Sequence, residues 1–166
     1  MNVQRVAALL QDREQVIRET VLDTAKKKNI ILYGARSYNL QAPSHLRKKT
    51  TDYDLLSKKP KKTAKEIADI LRRRLVGREV TIKKAQHKGT YKIKINGESI
   101  IDITQMKTKP KTKKVWGTEV RHLESIKRNA LRLSRKKGLE YRREKDIDTL
   151  QRIQEIEKME NTFNKL

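Results

Sequence analysis

The sequence contains no cysteine. That excludes disulfides, thiolate-held zinc and iron–sulfur clusters, and it fits an intracellular protein. No apolar run approaches about 18 residues, so neither a transmembrane helix nor a membrane partner is expected. Asp12 and Arg13 arrive too early for a signal peptide. Aromatic residues make up only 4% of the chain, too few for an extended base-stacking platform. Acids are scarce beside bases: 20 Asp and Glu against 42 Lys and Arg, a formal net charge of +22. Apolar residues are 35% and charged residues 37%, which points to a modest core under a well-solvated surface. Internal repeats and long Gly/Ser linkers are missing too, and 166 residues suit one domain spanning 1–166.

What is present is a positive field, and such a field gathers polyanions, nucleic acid first among them. Heat-adapted surfaces are also rich in charge, but they carry both signs and do not explain so large an excess.

Apolar spacing predicts an N-terminal helix over 1–28 with Val3, Val6, Ala7, Leu10, Ile17, Val21 and Ala25 near one face. "NIILYG" (29–34) reads as a buried strand closed by a glycine turn, and "TDYDLL" (51–56) as the next strand. A short helix and a basic loop fill the space between them. Residues 61–77 form the clearest helix pattern, with Thr63 and Glu66 spaced as a capping box and Gly77 as its stop. Residues 78–97 read as a hairpin turning at Lys88-Gly89, and Asn96-Gly97 leads into a strand over 98–106. "KTKPKTKKVWG" (107–117) lacks periodicity and reads as a basic loop or lid. Residues 118–166 carry two helical patterns, the first with Val120, Leu123, Ile126, Ala130 and Leu133 inward. With 29–106 as a catalytic core, the expected fold class is α/β or α+β with a mixed sheet and flanking helices.

Asp52 and Asp54 lie one residue apart on an expected strand, so both carboxylates project to one side. Carboxylates that close repel one another unless a cation lies between them. Asp102 interrupts the apolar run "SIIDIT", where an unpaired buried acid is costly. If its strand lies beside the first, three carboxylates meet. Such a set suits Mg²⁺ or Mn²⁺, and two metals so held assist phosphoryl transfer. "YGARS" places Gly34 at a strand-to-helix turn where backbone N–H groups can face phosphate, with Arg36 and Ser37 adding a charge and a hydroxyl.

A glycine turn, then D-x-D on the next strand, then an acid on a later strand resembles the nucleotidyltransferase superfamily, the group of DNA polymerase beta and poly(A) polymerases. "GARSYNL…KKTTDYDLLSKKPKKTAKEIADIL" resembles the catalytic cores of poly(A) polymerases from large DNA viruses. "YRREKDIDTLQRI" (141–153) resembles a helix of minimal and antitoxin-type nucleotidyltransferases. The resemblance implies Asp52, Asp54 and Asp102 as metal ligands, with Asp102 also the base. It implies Gly34 and Ser37 as holders of the triphosphate, with Arg36 and Asn39 as further nucleotide contacts. Ala35 departs from the family's Gly-Gly or Gly-Ser turn, and the chain is shorter than a full poly(A) polymerase.

The expected function is therefore metal-dependent transfer of a nucleoside monophosphate from a nucleoside triphosphate to a hydroxyl, most naturally a nucleic-acid 3′ end. Transfer to a protein or a tRNA, or nucleic-acid binding without turnover, are the competing readings. Expected polynucleotide contacts are Arg47, Lys48, Lys49, Lys111, Lys113, Lys114, Arg128, Arg132 and Arg135. Tyr38 and Trp116 are candidate base-stackers, Trp116 equally a core anchor. His87 is expected exposed, and His45 and His122 carry no pattern. The small size points to a homodimer or a protein partner to complete the acceptor site.

Overall fold

Alternation in the strands sorts side chains onto the two faces of a seven-stranded mixed sheet, ordered β3-β4-β5-β2-β1-β7-β6. The computed structural model describes residues 3–165, and only the backbone of residues 7–11. Its strands are β1 (Ile31–Tyr33), β2 (Tyr53–Ser57), β3 (Val80–Lys84), β4 (Thr90–Ile95), β5 (Glu98–Gln105), β6 (Thr112–Val115) and β7 (Thr118–Arg121). The helices are α1 (Val3–Lys28), α2 (Gly34–Asn39), α3 (Pro60–Arg74), α4 (Leu123–Ser134) and α5 (Arg143–Phe163). Short 3₁₀ turns occupy Ser44–Leu46 and Glu140–Arg142. Among the described residues, no helix is long and apolar enough to cross a membrane.

One sheet face is the core. Leu32, Tyr53, Leu55, Ile101, Ile103, Ile93 and Val120 are buried there against Ile17, Val21 and Ala25 of α1 and Ala64, Ile67, Ala68 and Leu71 of α3. Each fully buried Ile or Leu contributes about 1.5–3 kcal/mol relative to exposure. A smaller cluster under the opposite face joins Tyr38 and Ala42 to Ile153 and Ile156 of α5. It docks the C-terminal helices over α2. Between α2 and those helices the sheet's second face stays polar, because Asp54, Asp102 and Thr104 alternate with core residues along β2 and β5.

Several expectations change here. Val3 and Val6 are exposed, while Ile17, Val21 and Ala25 carry α1 into the core; Ala7 and Leu10 lie outside the described side chains. Strand β2 begins at Tyr53, so Asp52 sits just before it. Helix α3 begins at Pro60, whose fixed φ suits the first turn, so Thr63 is no cap. Instead its buried hydroxyl shares a 2.8 Å hydrogen bond with Ser57 Oγ.

The stretch 107–117 is not all loop. It supplies β6 and the turn of a hairpin, and Trp116 (φ 52°) and Gly117 (φ 80°) give that turn its two positive-φ positions. Residues 118–121 are strand β7, not helix: Leu32 pairs in parallel with Val120, which fills the core. Tyr38 is 1% exposed and donates to the Leu46 carbonyl at 2.9 Å, so it is a core residue and not a stacker. Trp116, at 88% exposure, is no core anchor.

Candidate active site

Parallel pairing of β2 with β5 sets Asp54 directly opposite Asp102. Antiparallel pairing of β1 with β2 sets Tyr33 opposite Asp54 on the other side. All three side chains therefore share the polar face, and Asp52 joins them from two residues upstream. Burial first, then the Asp102 and Asp52 charges, push Asp54 up to about 6, while Lys145 and Lys92 pull the other way. The Asp54 carboxylate accepts no hydrogen bond from another described residue. Asp102 does: its Oδ2 accepts from Lys92 Nζ at 2.7 Å across β4 and β5. Among the described residues no three acid or histidine side chains are gathered into a ready metal cage. The register brings Asp54 and Asp102 side by side on the polar face, and the Asp102 charge acts directly on Asp54.

Gly34 makes this arrangement possible. Its φ is +66°, and a Cβ placed on it would lie 2.2 Å from Asp54 Oδ2. Only glycine lets the β1–α2 turn run against that carboxylate. The other residues expected at the phosphate turn support it from behind. Ser37 is fully buried and donates to the Gly34 carbonyl at 2.9 Å. Arg36 donates to the Asp52 and Thr51 carbonyls at 3.2 and 3.3 Å, and its guanidinium lies 4.2 Å from the Tyr53 ring centre. Asn39 clasps Lys48 twice at 2.7 Å, through its carbonyl and its N–H. Ser37 braces the glycine turn, and Arg36 and Asn39 fix the loop that carries Asp52.

That loop, the Gly34 turn and the C-terminal helices enclose a cleft of about 1110 Å³ with Asp52 and Asp54 on its wall. Arg47, Lys48 and Lys49 line it. Lys48 is half-buried, and burial pushes its pKa down although Asp148 lies 3.6 Å away. Sequence reasoning did not single out Arg121, Arg142, Lys145 and Arg152, which also line the cleft. Arg142 is matched to buried Asp146 and Arg152 to Asp148. Lys145 makes no ion pair among the described residues, yet its charge is felt at Asp54. The one available signal was the segment 141–153, noted as a helix but not for its cations.

The remaining expected contacts lie apart. Lys111 and Arg128 both pair with Glu124, and Arg132 donates to Asn129 at 3.0 Å. Lys113 and Lys114 are exposed on β6, and Arg135 is exposed just past α4. His87 is exposed as expected. His45 lines the cleft, and His122 caps α4 by accepting from the Glu124 N–H at 3.1 Å.

The acids, the turn and the cationic cleft can be set beside known proteins. A search of curated proteins finds no significant match. The crystal structure of the Megavirus polyadenylate synthase is similar over 84% of this chain at 27% identity and a TM-score of 0.74. The match covers 30% of that protein, so this chain spans less than a third of it. JHP933 from Helicobacter pylori is similar in fold, with a TM-score of 0.56 at 15% identity over 90% of this chain and 66% of that one. The family described as poly(A) polymerase catalytic subunit matches residues 19–140, which include the turn and all three acids. This chain therefore belongs to the poly(A) polymerase catalytic subunit family, within the nucleotidyltransferases.

Proposed function

We propose that the chain transfers a nucleoside monophosphate from a nucleoside triphosphate to a 3′ hydroxyl of a polynucleotide. The observation that carries this reading is the register of Asp54 against Asp102, with Asp52 upstream, over a glycine turn at a cation-lined cleft. The attacking hydroxyl oxygen bonds to the α-phosphorus, and pyrophosphate leaves with the electron pair of the broken P–O bond. Lys145, Lys49 and Arg47 are placed to hold the triphosphate, since none of them makes an ion pair among the described residues. Asp102 is the candidate acceptor for the hydroxyl proton, once Lys92 yields it.

The donor set fits a hard divalent cation: all carboxylate oxygen, with Asp54 left unbonded beside a turn that has no Cβ to displace it. Mg²⁺ or Mn²⁺ held by Asp52, Asp54 and Asp102 would neutralise phosphate charge and acidify the attacking hydroxyl.

The test is extension of single-stranded RNA and DNA primers with each labelled nucleotide, beside Asp52→Ala. Label on a primer that disappears in the variant supports the reading. Label on protein alone, or none while salt-sensitive binding persists, overturns it.

A further inference from the structure

Trp116 stands 88% exposed at the tip of the β6–β7 hairpin with φ at 52°. Both facts are unfavourable for a tryptophan. A bulky side chain at positive φ is strained, and that turn position favours asparagine or glycine. An indole ring held out in water is also costly unless something covers it. Beside it run cations. Lys113 and Lys114 project to opposite faces of β6, the sheet's edge strand, Lys113 on the face of Val120 and Lys114 across from Glu119, and the Lys26 side chain of α1 lies along Gly117. None of these three makes an ion pair among the described residues. Lysines alone could merely guard an edge strand against pairing. Edge protection gives no reason for the tryptophan.

The hairpin also connects with the cleft. A recess of about 360 Å³ lies beside its base, lined by Lys109, Lys111, Arg121 and Arg128 together with Glu124, which pairs with Lys111 and Arg128 while Lys109 pairs with Glu119. Arg121 borders both the recess and the cleft that holds the acids. From Lys111 to Trp116 an extended strand covers roughly 16 Å. Cations thus outnumber acids from Arg121 at the cleft, through the recess, to the two sides of β6 below an exposed ring. A charged track ending in an aromatic face is the chemistry that holds unpaired bases on a phosphate backbone.

We propose that this edge is a binding track for single-stranded polynucleotide, separate from the reacting groups, with Trp116 stacked on a base. It deepens the proposed function, on which it rests for direction only: the 3′ end would enter the cleft and the upstream nucleotides would lie along β6.

The chain has one tryptophan, so its emission reports on this position alone. The intact protein, in EDTA and without nucleotide, would be titrated with oligoadenylate of about 15 nucleotides, as RNA and as DNA, a length within the usual span of single-strand sites. Saturable quenching by either is expected. Trp116→Asn suits the turn and should preserve folding. It should weaken binding of a fluorescein-labelled oligonucleotide on the order of tenfold. Lys113→Ala with Lys114→Ala should flatten the slope of log affinity against log salt by about 1.4. No quenching at low salt, with Trp116→Asn binding as tightly as the native chain, overturns the proposal. So does emission that follows protein concentration and ignores oligonucleotide, which would place a second copy over the ring. Because the titration needs no turnover, a failed extension assay leaves it standing, and extension without quenching sinks the track alone.

Discussion

At the residue scale, the site is a compromise between Asp54 and its surroundings. Its carboxyl is held at about 6 against 3.8 for an ordinary aspartate. The native state thus binds the proton more tightly than the unfolded chain. Stability from this group is present at acid pH and lost as pH rises through about 6. The loss is on the order of 3 kcal/mol at most. In EDTA, Asp54→Asn should therefore be more stable than the native chain at pH 7.5, and the gap should shrink at pH 4.5. Urea unfolding at the two pH values checks this, and an equal gap at both would refute it. The same substitution should lower nucleotide transfer at least ~1000-fold, comparable to removal of a principal electrostatic group. Gly34→Ala is the complementary change. Its positive φ costs about 1–2 kcal/mol, and the new methyl meets Asp54 Oδ2 at 2.2 Å. The expected result is a modest fall in the urea midpoint with a far larger fall in kcat. Near-native kcat would mean that the turn can back away from the carboxylate.

At the scale of elements, α5 closes the cleft. Arg142 grips buried Asp146 with two bonds of 2.9 and 3.1 Å. Lys48 reaches Thr149, and Arg152 donates to the Leu46 carbonyl at 3.0 Å. Asp146→Ala strands a partly exposed arginine and should cost about 1–3 kcal/mol, below the full value for a buried pair. It should also raise KM for the nucleotide, because Lys145 is the adjacent residue. A fall in thermal midpoint with KM unchanged would make α5 a brace without a part in binding. The last two contacts were beyond the sequence, since they join residues 101 and 106 positions apart. The acids were legible from the one-residue spacing of Asp52 and Asp54 and from Asp102 interrupting the apolar run of β5. The Asn96-Gly97 turn was legible because its residue types match its backbone. The second hairpin was not. Lysine and threonine replace the apolar alternation in β6, and Val120 falls into helical spacing with Leu123 and Ile126. Tryptophan at a positive-φ turn runs against the local preference that would have marked it. Trp116→Asn should accordingly leave the thermal midpoint unchanged or raise it, as differential scanning calorimetry would show.

For the whole molecule, the charge of +22 is unevenly spent. Many cations are engaged: Lys92 with Asp102, Arg142 with Asp146, Arg152 with Asp148, Lys111 with Glu124. Among the described residues, those without an ion pair include Lys49 and Lys145 at the cleft and Lys113 and Lys114 on β6, and others, such as Lys61, Lys62, Lys83 and Lys84, lie elsewhere on the surface. A strand bound to both regions would release counterions at each phosphate contact, about 0.7 per contact for single strands. Roughly five or six contacts give a slope near −4 for log affinity against log salt. A mononucleotide meets only the cleft. KM for a polynucleotide acceptor should therefore rise far more steeply with potassium chloride than KM for the nucleoside triphosphate. Both are read from initial rates at fixed magnesium over about 50–200 mM salt. Equal slopes would mean that the acceptor touches the cleft alone. The excess positive charge would then serve long-range attraction and not a bound path.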